Sequence, residues 1–246
     1  IEKHGCQPQD LLLKKMNNIM AMHGPDDADV YIQENVGFGH RRLSILDLSP
    51  AGHQPYISDD CRKILTYNGE IYNYRELRDS ILTPRGHKFK SNCDTEVLLK
   101  MYEEFGIECL QYLRGMFAFA IYDFTNKTLF AARDRLGQKP FYYAVIDGRF
   151  YFASEIKSIF CDSRLEPKHN PEAIHHYLSF KYIPHPYTAF QDVYKLPHSH
   201  YLLFKNNKIH IERYWKNWYK REKTNDIALI KTELKSRLLE AVNIRM

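Results

Sequence analysis

Residues 67–70 carry groups that suit the chemistry of acyl transfer. Asn68 and Gly69 place a side-chain amide and a backbone N–H next to each other, and Glu70 follows with a carboxylate. Two donors on adjacent residues can stabilise the oxyanion of a tetrahedral intermediate. An Asn-Gly pair after an apolar run is also the strongest local signal of a β-hairpin turn. The residue types therefore predict a turn at the end of a strand, and a chemical role for that turn depends on its neighbours.

Two further motifs add groups that could bind a polar substrate. Arg42 lies in an alternating, strand-like segment, and a planar guanidinium can bind a carboxylate through two hydrogen bonds. Asp94 begins a helical pattern, and its carboxylate could bind an ammonium group. Each residue also has a structural interpretation, because Arg42 could be a surface arginine and Asp94 a helix N-cap. The pattern around each residue, taken alone, leaves both alternatives open.

The composition is that of a globular protein. The chain has 246 residues, of which 44% are hydrophobic, so it can form one large domain or one domain and part of another. No apolar run approaches the roughly 20 residues that span a bilayer, and the first residues lack the pattern of a secretory signal. The net charge of +5 comes from Lys and Arg interleaved with Asp and Glu, which disfavours a nucleic-acid interface. We expect neither a membrane nor a nucleic acid as partner.

The cysteines and histidines form no metal-binding or disulfide pattern. The cysteines number five, which is odd, and none belongs to a C-x-x-C pair. His198 and His200 would lie on one face of a strand, but no further ligands follow at zinc-like spacing. We therefore expect no metal site in this chain and a location in the reducing cytoplasm. The cysteines are Cys6, Cys61, Cys93, Cys109 and Cys161.

Hydrophobic periodicity predicts antiparallel hairpins interspersed with helices. Helical spacing is clearest in residues 9–22, 94–105 and 227–244. This order of elements favours an α+β layered fold over a doubly wound one, which requires regular strand and helix alternation. Further helices are predicted at 74–82, 155–160 and 171–182, and strands at 29–33, 36–45, 63–67, 116–123, 129–133, 141–145, 150–154, 200–204 and 208–212.

Five motifs in order, and two more further along the chain, resemble the glutaminase domain of glutamine-hydrolysing asparagine synthetases. The likeness extends to about residue 214. It implies a class II glutamine amidotransferase fold of the N-terminal-nucleophile hydrolase kind. That fold is a four-layer α/β/β/α sandwich, with two antiparallel sheets between helix layers. The motifs occupy residues 23–27, 39–47, 67–73, 93–97, 114–120, 132–143 and 152–157.

The resemblance also implies a role for each polar residue introduced above. Arg42 would bind the α-carboxylate of glutamine, at the start of a glutamine-binding segment. Glu70 and Asp94 would recognise the ammonium end of the substrate, and Asn68 and Gly69 would form the oxyanion hole. The rest of the glutamine-binding segment would be Leu43, Ser44, Ile45 and Leu46.

The sequence departs from the family pattern at two places that bear on catalysis. The family nucleophile is an N-terminal Cys whose thiol attacks the amide while its own α-amine acts as base, and none of the 246 residues matches it. Cys6 follows the expected first strand, so it does not replace this nucleophile. We expect the strand that carries the nucleophile to precede Ile1. In addition, Met22-His23 stands where the family has His-Arg.

The resemblance predicts a division of the chain into two parts. Residues 1–214 would form the glutamine amidotransferase domain. Residues 215–246 would form a linker and the first helix leading into an ATP-dependent synthetase domain that is absent from this chain. The glutaminase part would need no cofactor, whereas ATP and Mg²⁺ would belong to the absent domain.

The leading functional hypothesis is hydrolysis of glutamine to glutamate, with the ammonia used to amidate aspartate. One alternative is amidation of another carboxylate, such as that of a sugar acid, because the acceptor site would lie outside this chain. A second alternative is a catalytically inactive domain that binds glutamine and has a regulatory role. The unmatched Cys and the Met22-His23 pair would explain the lack of activity. A homodimer is one option for the assembly.

Overall fold

Helices and antiparallel sheets form stacked layers in the computed structural model, which describes residues 9–44, 47, 49–217 and 226–245. A six-stranded sheet makes one inner layer, and two smaller sheets make the layer that faces it. Helices pack on the outer faces of both layers, so the predicted α+β sandwich is confirmed. The strands are β1 (Asp27–Gln33), β2 (Val36–Arg42), β3 (Tyr56–Ile57), β4 (Lys63–Ile71), β5 (Gly115–Asp123), β6 (Thr128–Arg133), β7 (Tyr142–Ile146), β8 (Arg149–Ala153), β9 (Tyr194–Lys195), β10 (His200–Lys205) and β11 (Lys208–Arg213).

Most predicted helices are present in the described part of the chain. Residues 74–82 begin as a short α-helix and continue as a π-helix over Leu77–Leu82. Among the described residues, no helix is both long and apolar enough to cross a membrane. The α-helices are α1 (Asp10–Ile19), α2 (Tyr74–Glu76), α3 (Asp94–Phe105), α4 (Cys109–Tyr112), α5 (Ile156–Ile159), α6 (Pro171–Phe180) and α7 (Ile227–Asn243).

The six-stranded sheet has the order β11-β10-β6-β5-β4-β3, and its strands pair antiparallel. Strand β5 is buried on both faces from residue 117 to residue 123. Since successive side chains point to opposite faces, odd-numbered residues of 117–121 enter the core beneath α3. Even-numbered residues of 118–122 enter the core between the two sheet layers. The sheet is therefore covered on both sides, as a sandwich requires.

The second sheet layer is divided into two pieces. Strands β1 and β2 form one hairpin, and β8, β7 and β9 form a separate three-stranded sheet. A groove of about 80 Å³ lies between β2 and β8, with α1 along it and Gly37 and Gly39 on its β2 side. The edge of β2 away from β1 and the edge of β8 away from β7 pair with no other described strand. The layer that faces the six-stranded sheet thus consists, in the described part of the chain, of two separate antiparallel sheets.

The Asn68-Gly69 pair is not a hairpin turn. Both residues lie within β4, where Asn68 is opposite Ala118 and Gly69 is opposite Phe117 on β5. A Cβ atom on Gly69 would come within 2.2 Å of the Met116 carbonyl oxygen, so the close approach of β5 explains the glycine. The turn prediction was wrong because strand pairing along all nine residues of β4 outweighs the local turn preference of Asn-Gly.

Candidate active site

The backbone N–H of Gly69 points away from β5. Phe117, which lies opposite, uses both of its backbone groups on the other side of its strand. Its N–H donates to Asp134 Oδ2 at 3.3 Å, and its carbonyl accepts from the Asp134 N–H at 2.8 Å. Gly69 and Phe117 therefore form a pair without mutual hydrogen bonds, and the Gly69 N–H lies along the outer edge of β4.

The two neighbouring outward amides of β4 confirm this direction. The Tyr67 N–H donates to Gln54 Oε1 at 2.7 Å, and the Ile71 N–H donates to Asp94 Oδ2 at 2.9 Å. Gly69 lies midway between them and lines a cavity of about 490 Å³. Its N–H is thus placed between two anchored amides, where a substrate oxygen could accept a hydrogen bond.

The Asn68 side chain also lines this cavity. Its Nδ2 lies 3.4 Å from Ser154 Oγ, which is a long hydrogen bond. A weakly held amide can turn towards a stronger acceptor, such as a developing oxyanion. The structure therefore places Asn68 and Gly69 at one cavity, as an oxyanion hole requires.

Two carboxylates lie at the same cavity. Asp94 is 3% exposed, and its Oδ2 accepts hydrogen bonds from the Ile71 N–H and, at 2.7 Å, from the Tyr67 hydroxyl. Cys93 forms the N-cap of α3, without a side-chain cap, so the interpretation of Asp94 as an N-cap was wrong. The side chain instead turns to β4, beside Glu70.

Burial raises the pKa of the Asp94 carboxyl, although its hydrogen bonds act in the opposite direction. The pKa of Glu70 is also raised, first by burial and then by the negative charge of Asp94, while Lys139 lowers it. Two acidic groups that disfavour each other's charge are stabilised by a cation between or beside them. The pair therefore suits the ammonium group of an amino acid.

Arg42 is buried at 7% exposure, so its interpretation as a surface arginine was wrong. Arg42 lines the cavity, and its guanidinium donates to two backbone carbonyls of the following loop, those of Asp47 and, at 3.2 Å, Ser49. Gly52 packs against the same guanidinium, where a Cβ would come within 2.1 Å of Nη2. Arg42 thus holds the loop and supplies positive charge to the cavity.

The remaining members of the predicted glutamine-binding segment are only partly described. Leu43 lines the cavity and is 56% exposed. The Ser44 N–H donates to Asp26 Oδ2 at 2.8 Å, which ties this segment to the start of β1. Ile45 and Leu46 lie outside the described residues. The roles predicted for all four residues stay predictions.

The pair that departs from the family pattern lies at the edge of the cavity. His23 lines it, and its Nε2 contacts the Glu155 carboxylate. Lys157 also contacts Glu155, at 2.8 Å. The side chains of His23, Glu155 and Lys157 therefore form a contact cluster at this edge of the cavity. The Met22 side chain, in contrast, is 92% exposed.

Cys93 lines the cavity but does not have the properties of a nucleophile. It is buried, and its thiol donates towards Asp94 Oδ1 at 3.4 Å. Burial and the adjacent Asp94 charge raise the pKa of the thiol to about 11, so it stays protonated at neutral pH. Cys6 lies outside the described residues, and the cysteines that are described are free.

Several cavity residues make contacts that the sequence does not predict. Gln54 lies 13 residues before the amide it binds, and Ser154 lies 86 residues after its partner Asn68. His40 is half-buried, its Nδ1 is 3.1 Å from Thr66 Oγ1, and burial lowers its pKa to about 4. His40 and Ser154 belong to the motifs at 39–47 and 152–157, whereas Gln54 belongs to none, and no spacing in the sequence predicts the contacts of these three residues.

The fold brings two hydrogen-bond donors, a carboxylate pair and a buried arginine to one cavity, a set of groups that suits a free amino acid with a side-chain amide. Residues 3–215 match the family described as the glutamine amidotransferase domain, and the chain belongs to that family. The resemblance inferred from the motifs is thereby confirmed at the level of this domain.

Several named proteins contain a region similar to this chain. The chain is 38% identical over 239 residues to asparagine synthetase [glutamine-hydrolyzing] 1 of Bacillus subtilis, an alignment covering 97% of this chain and 37% of the relative. It is 34% identical over 235 residues to amidase chry2 of Gibberella zeae, covering 93% of this chain and 34% of that protein. The chain spans roughly a third to a half of the length of the curated relatives it matches most strongly.

A solved structure shares the fold. Glutamine phosphoribosylpyrophosphate amidotransferase from B. subtilis superimposes with a TM-score of 0.54 at 20% identity, covering 76% of this chain and 36% of that one. At this identity the likeness concerns the fold alone.

Proposed function

We propose that this domain hydrolyses glutamine to glutamate and supplies the ammonia for ATP-dependent amidation of aspartate. The observation that carries the proposal is the single cavity in which Asn68 and Gly69 face the same space as Asp94, Glu70 and Arg42. Glutamine needs three kinds of partner there, namely a cation for its α-carboxylate, anions for its ammonium and donors for its amide oxygen. The cavity lining contains all three.

The charges suggest how glutamine would be oriented. Arg42 would bind the α-carboxylate, and Asp94 with Glu70 would bind the ammonium group. The side-chain carbonyl oxygen would then accept hydrogen bonds from Asn68 Nδ2 and the Gly69 N–H, which strengthen as negative charge develops on it. The α-amine of an N-terminal Cys would take the proton of its own thiol as the sulfur attacks the amide carbon, and would pass that proton to the leaving ammonia as the thioester forms. Water would then cleave the thioester, which releases glutamate and restores the thiol.

The groove between β2 and β8 supports a location for that cysteine. Both flanking strand edges lack a partner among the described strands, and Gly39 borders both the groove and the cavity. An extended segment in the groove could pair with both edges and join the divided layer into one sheet. We propose that the strand preceding Ile1 lies there and presents its N-terminal Cys to the cavity.

Labelling with an electrophilic diazoketone analogue of glutamine tests the proposed function. The full-length protein should hydrolyse glutamine, lose that activity on labelling, and carry the label on a Cys that precedes Ile1. Peptide mapping by mass spectrometry locates the label, and an excess of glutamine should protect the site. A label on Cys93, or a full-length protein that binds glutamine without releasing glutamate, would refute the proposed nucleophile.

Acidification should weaken glutamine binding. Because the pKa of Asp94 is raised, its carboxyl gains a proton at a higher pH than an ordinary aspartate, and the neutral form no longer attracts ammonium. The KM for glutamine should therefore rise as the pH is lowered, beginning above the pH range in which an ordinary carboxyl group titrates. Steady-state kinetics at a series of pH values provide the measurement. In Asp94→Asn, KM should be higher and should depend less on pH, with the remaining dependence coming from Glu70. Retention of the full pH dependence would assign it to a group other than Asp94.

The acceptor has two candidates. The asparagine synthetase relative favours aspartate, with ATP and Mg²⁺ acting in a domain outside this chain. The alternative is a different carboxylate, such as that of a sugar acid, because the acceptor site would lie outside this chain. Supplying the full-length protein with glutamine, ATP, Mg²⁺ and either acceptor, and identifying the amide by mass spectrometry, would decide between them. The cytoplasmic location and the homodimer remain predictions.

A further inference from the structure

Strand β3 stops before it reaches the catalytic part of β4. Only two residue pairs join these strands, Tyr56 with Leu65 and Ile57 with Ile64. Extending this register by two residues beyond Tyr56 and Leu65 would place Gln54 opposite Tyr67. Instead of a backbone carbonyl, the Gln54 side-chain oxygen accepts the Tyr67 N–H, at 2.7 Å. The Gln54 carboxamide therefore takes the place of one backbone carbonyl, and the pairing of β3 with β4 ends there.

The end of this pairing leaves the outer edge of β4 open at Gly69. A longer β3 would have brought backbone acceptors past Tyr67 towards the Gly69 N–H. With Gln54 holding Tyr67 and Asp94 holding Ile71, the amide between them faces the cavity. The Gln54 side chain thus fixes the backbone two residues before the proposed oxyanion donor.

Gln54 is itself held in place by its neighbours. It is buried, at 6% exposure. The imidazole of the preceding His53 lies 2.6 Å from Asp27 Oδ2 and 3.1 Å from Asp29 Oδ2, and these contacts join the segment to β1. On the other side, Gly52 packs on the Arg42 guanidinium. The segment is therefore attached both to β1 and to the proposed carboxylate-binding arginine.

A neutral acceptor is the group that this position requires. Methionine has a similar length but no oxygen to accept the Tyr67 N–H. Glutamate would accept it but would bring a further carboxylate to the cavity that holds Asp94 and Glu70. Glutamine combines the acceptor with neutrality.

We propose that Gln54 is a positioning residue of the oxyanion hole, which acts by holding the Tyr67 amide and thereby aligning the Gly69 N–H. Its effect on catalysis rests on the proposed glutaminase function. The effect of Gln54 on the backbone of β4 does not depend on that function, and the two effects can be measured separately.

The test compares Gln54→Met with the unaltered full-length protein and with Gln111→Met. Gln111 is an exposed glutamine that donates to the Tyr214 carbonyl, away from the cavity, so its variant controls for the substitution itself. In Gln54→Met, kcat for glutamine hydrolysis should fall roughly tenfold to a hundredfold, less than for outright loss of an oxyanion donor, while KM changes less than about threefold. Gln111→Met should leave both constants unchanged.

The affinities of two ligands distinguish a misaligned oxyanion donor from general damage to the pocket. The γ-semialdehyde of glutamate forms a tetrahedral adduct with the thiol and uses the oxyanion hole, whereas glutamate occupies the pocket without forming one. Gln54→Met should weaken inhibition by the semialdehyde about as much as it lowers kcat, and should leave the affinity for glutamate unchanged. Equal weakening of both ligands, or an unchanged kcat, would overturn the proposal.

Amide hydrogen exchange followed by NMR gives a readout that does not depend on turnover. The Tyr67 amide should exchange faster in Gln54→Met, and the Gly69 amide resonance should shift, while amides of β6 keep their protection. Unchanged exchange at Tyr67 would contradict the positioning role. A full-length protein without glutaminase activity would instead refute the proposed function, and the exchange result would still decide whether Gln54 holds β4.

Discussion

Replacement of Asn68 by alanine should lower kcat for glutamine hydrolysis about 10²–10³-fold, with little change in KM. The substitution removes the side-chain donor and leaves the Gly69 N–H, whose direction depends on the β4 and β5 pairing. Because an oxyanion exists only after the nucleophile attacks, the lost interaction belongs to the transition state and its intermediate. Release of glutamate under saturating glutamine is the measurement.

Ser154→Ala is the matched control for Asn68→Ala. It removes the long contact between Ser154 Oγ and Asn68 Nδ2 but retains the amide. We expect a kcat within about threefold of the unaltered protein, since a contact of 3.4 Å contributes little. A rise in KM together with an unchanged kcat in Asn68→Ala would place Asn68 in ground-state binding and remove it from the oxyanion hole.

Arg42→Ala should raise the KM for glutamine roughly tenfold to a hundredfold, which corresponds to the loss of a hydrogen-bonded charge pair. Arg42 is the buried guanidinium of the cavity, and the proposed orientation gives it the α-carboxylate. The substitution should also destabilise the protein, because the Asp47 and Ser49 carbonyls lose their donor. Kinetics should therefore be combined with urea unfolding of the same variant.

Arg41→Ala separates the binding role of Arg42 from a general change in charge. The neighbouring Arg41 directs its guanidinium to α1, where it donates to the Asn17 carbonyl and to Asn18 Oδ1. Arg41→Ala removes the same positive charge from the neighbouring residue of β2, so we expect only a small change in the KM for glutamine. An increase as large as that of Arg42→Ala would argue for long-range electrostatics in place of a direct contact with the carboxylate.

Most of the secondary structure could be predicted from hydrophobic periodicity. Residues 94–105 were predicted as a helix, and α3 has these bounds. Strands β3 and β9 were missed, because two residues are too few to show an alternating pattern. The division of the second sheet layer was also missed, because it depends on which strand edges meet and has no local signature.

For the candidate site, residue types and motifs identified the groups, whereas their contacts required the structure. The alternatives left open for Arg42 and Asp94 were resolved by burial and by hydrogen bonds to distant segments. Gln54 could not have been selected, since a buried glutamine 13 residues from its partner resembles any other polar residue in a loop. Side-chain contacts of this kind arise when separate segments pack together.

The sequence by itself determined the family, the order of the elements and the polar groups that surround the cavity. It could do so because residue chemistry and motif order are properties of the chain. Only the tertiary structure decided that Asn68 and Gly69 lie within a strand and that the Gly69 amide faces the cavity. The reason is that the direction of this amide depends on β5 on one side and on Gln54 and Asp94 on the other. Those partners are brought to β4 from distant parts of the sequence, so the local Asn-Gly signal could not reveal them.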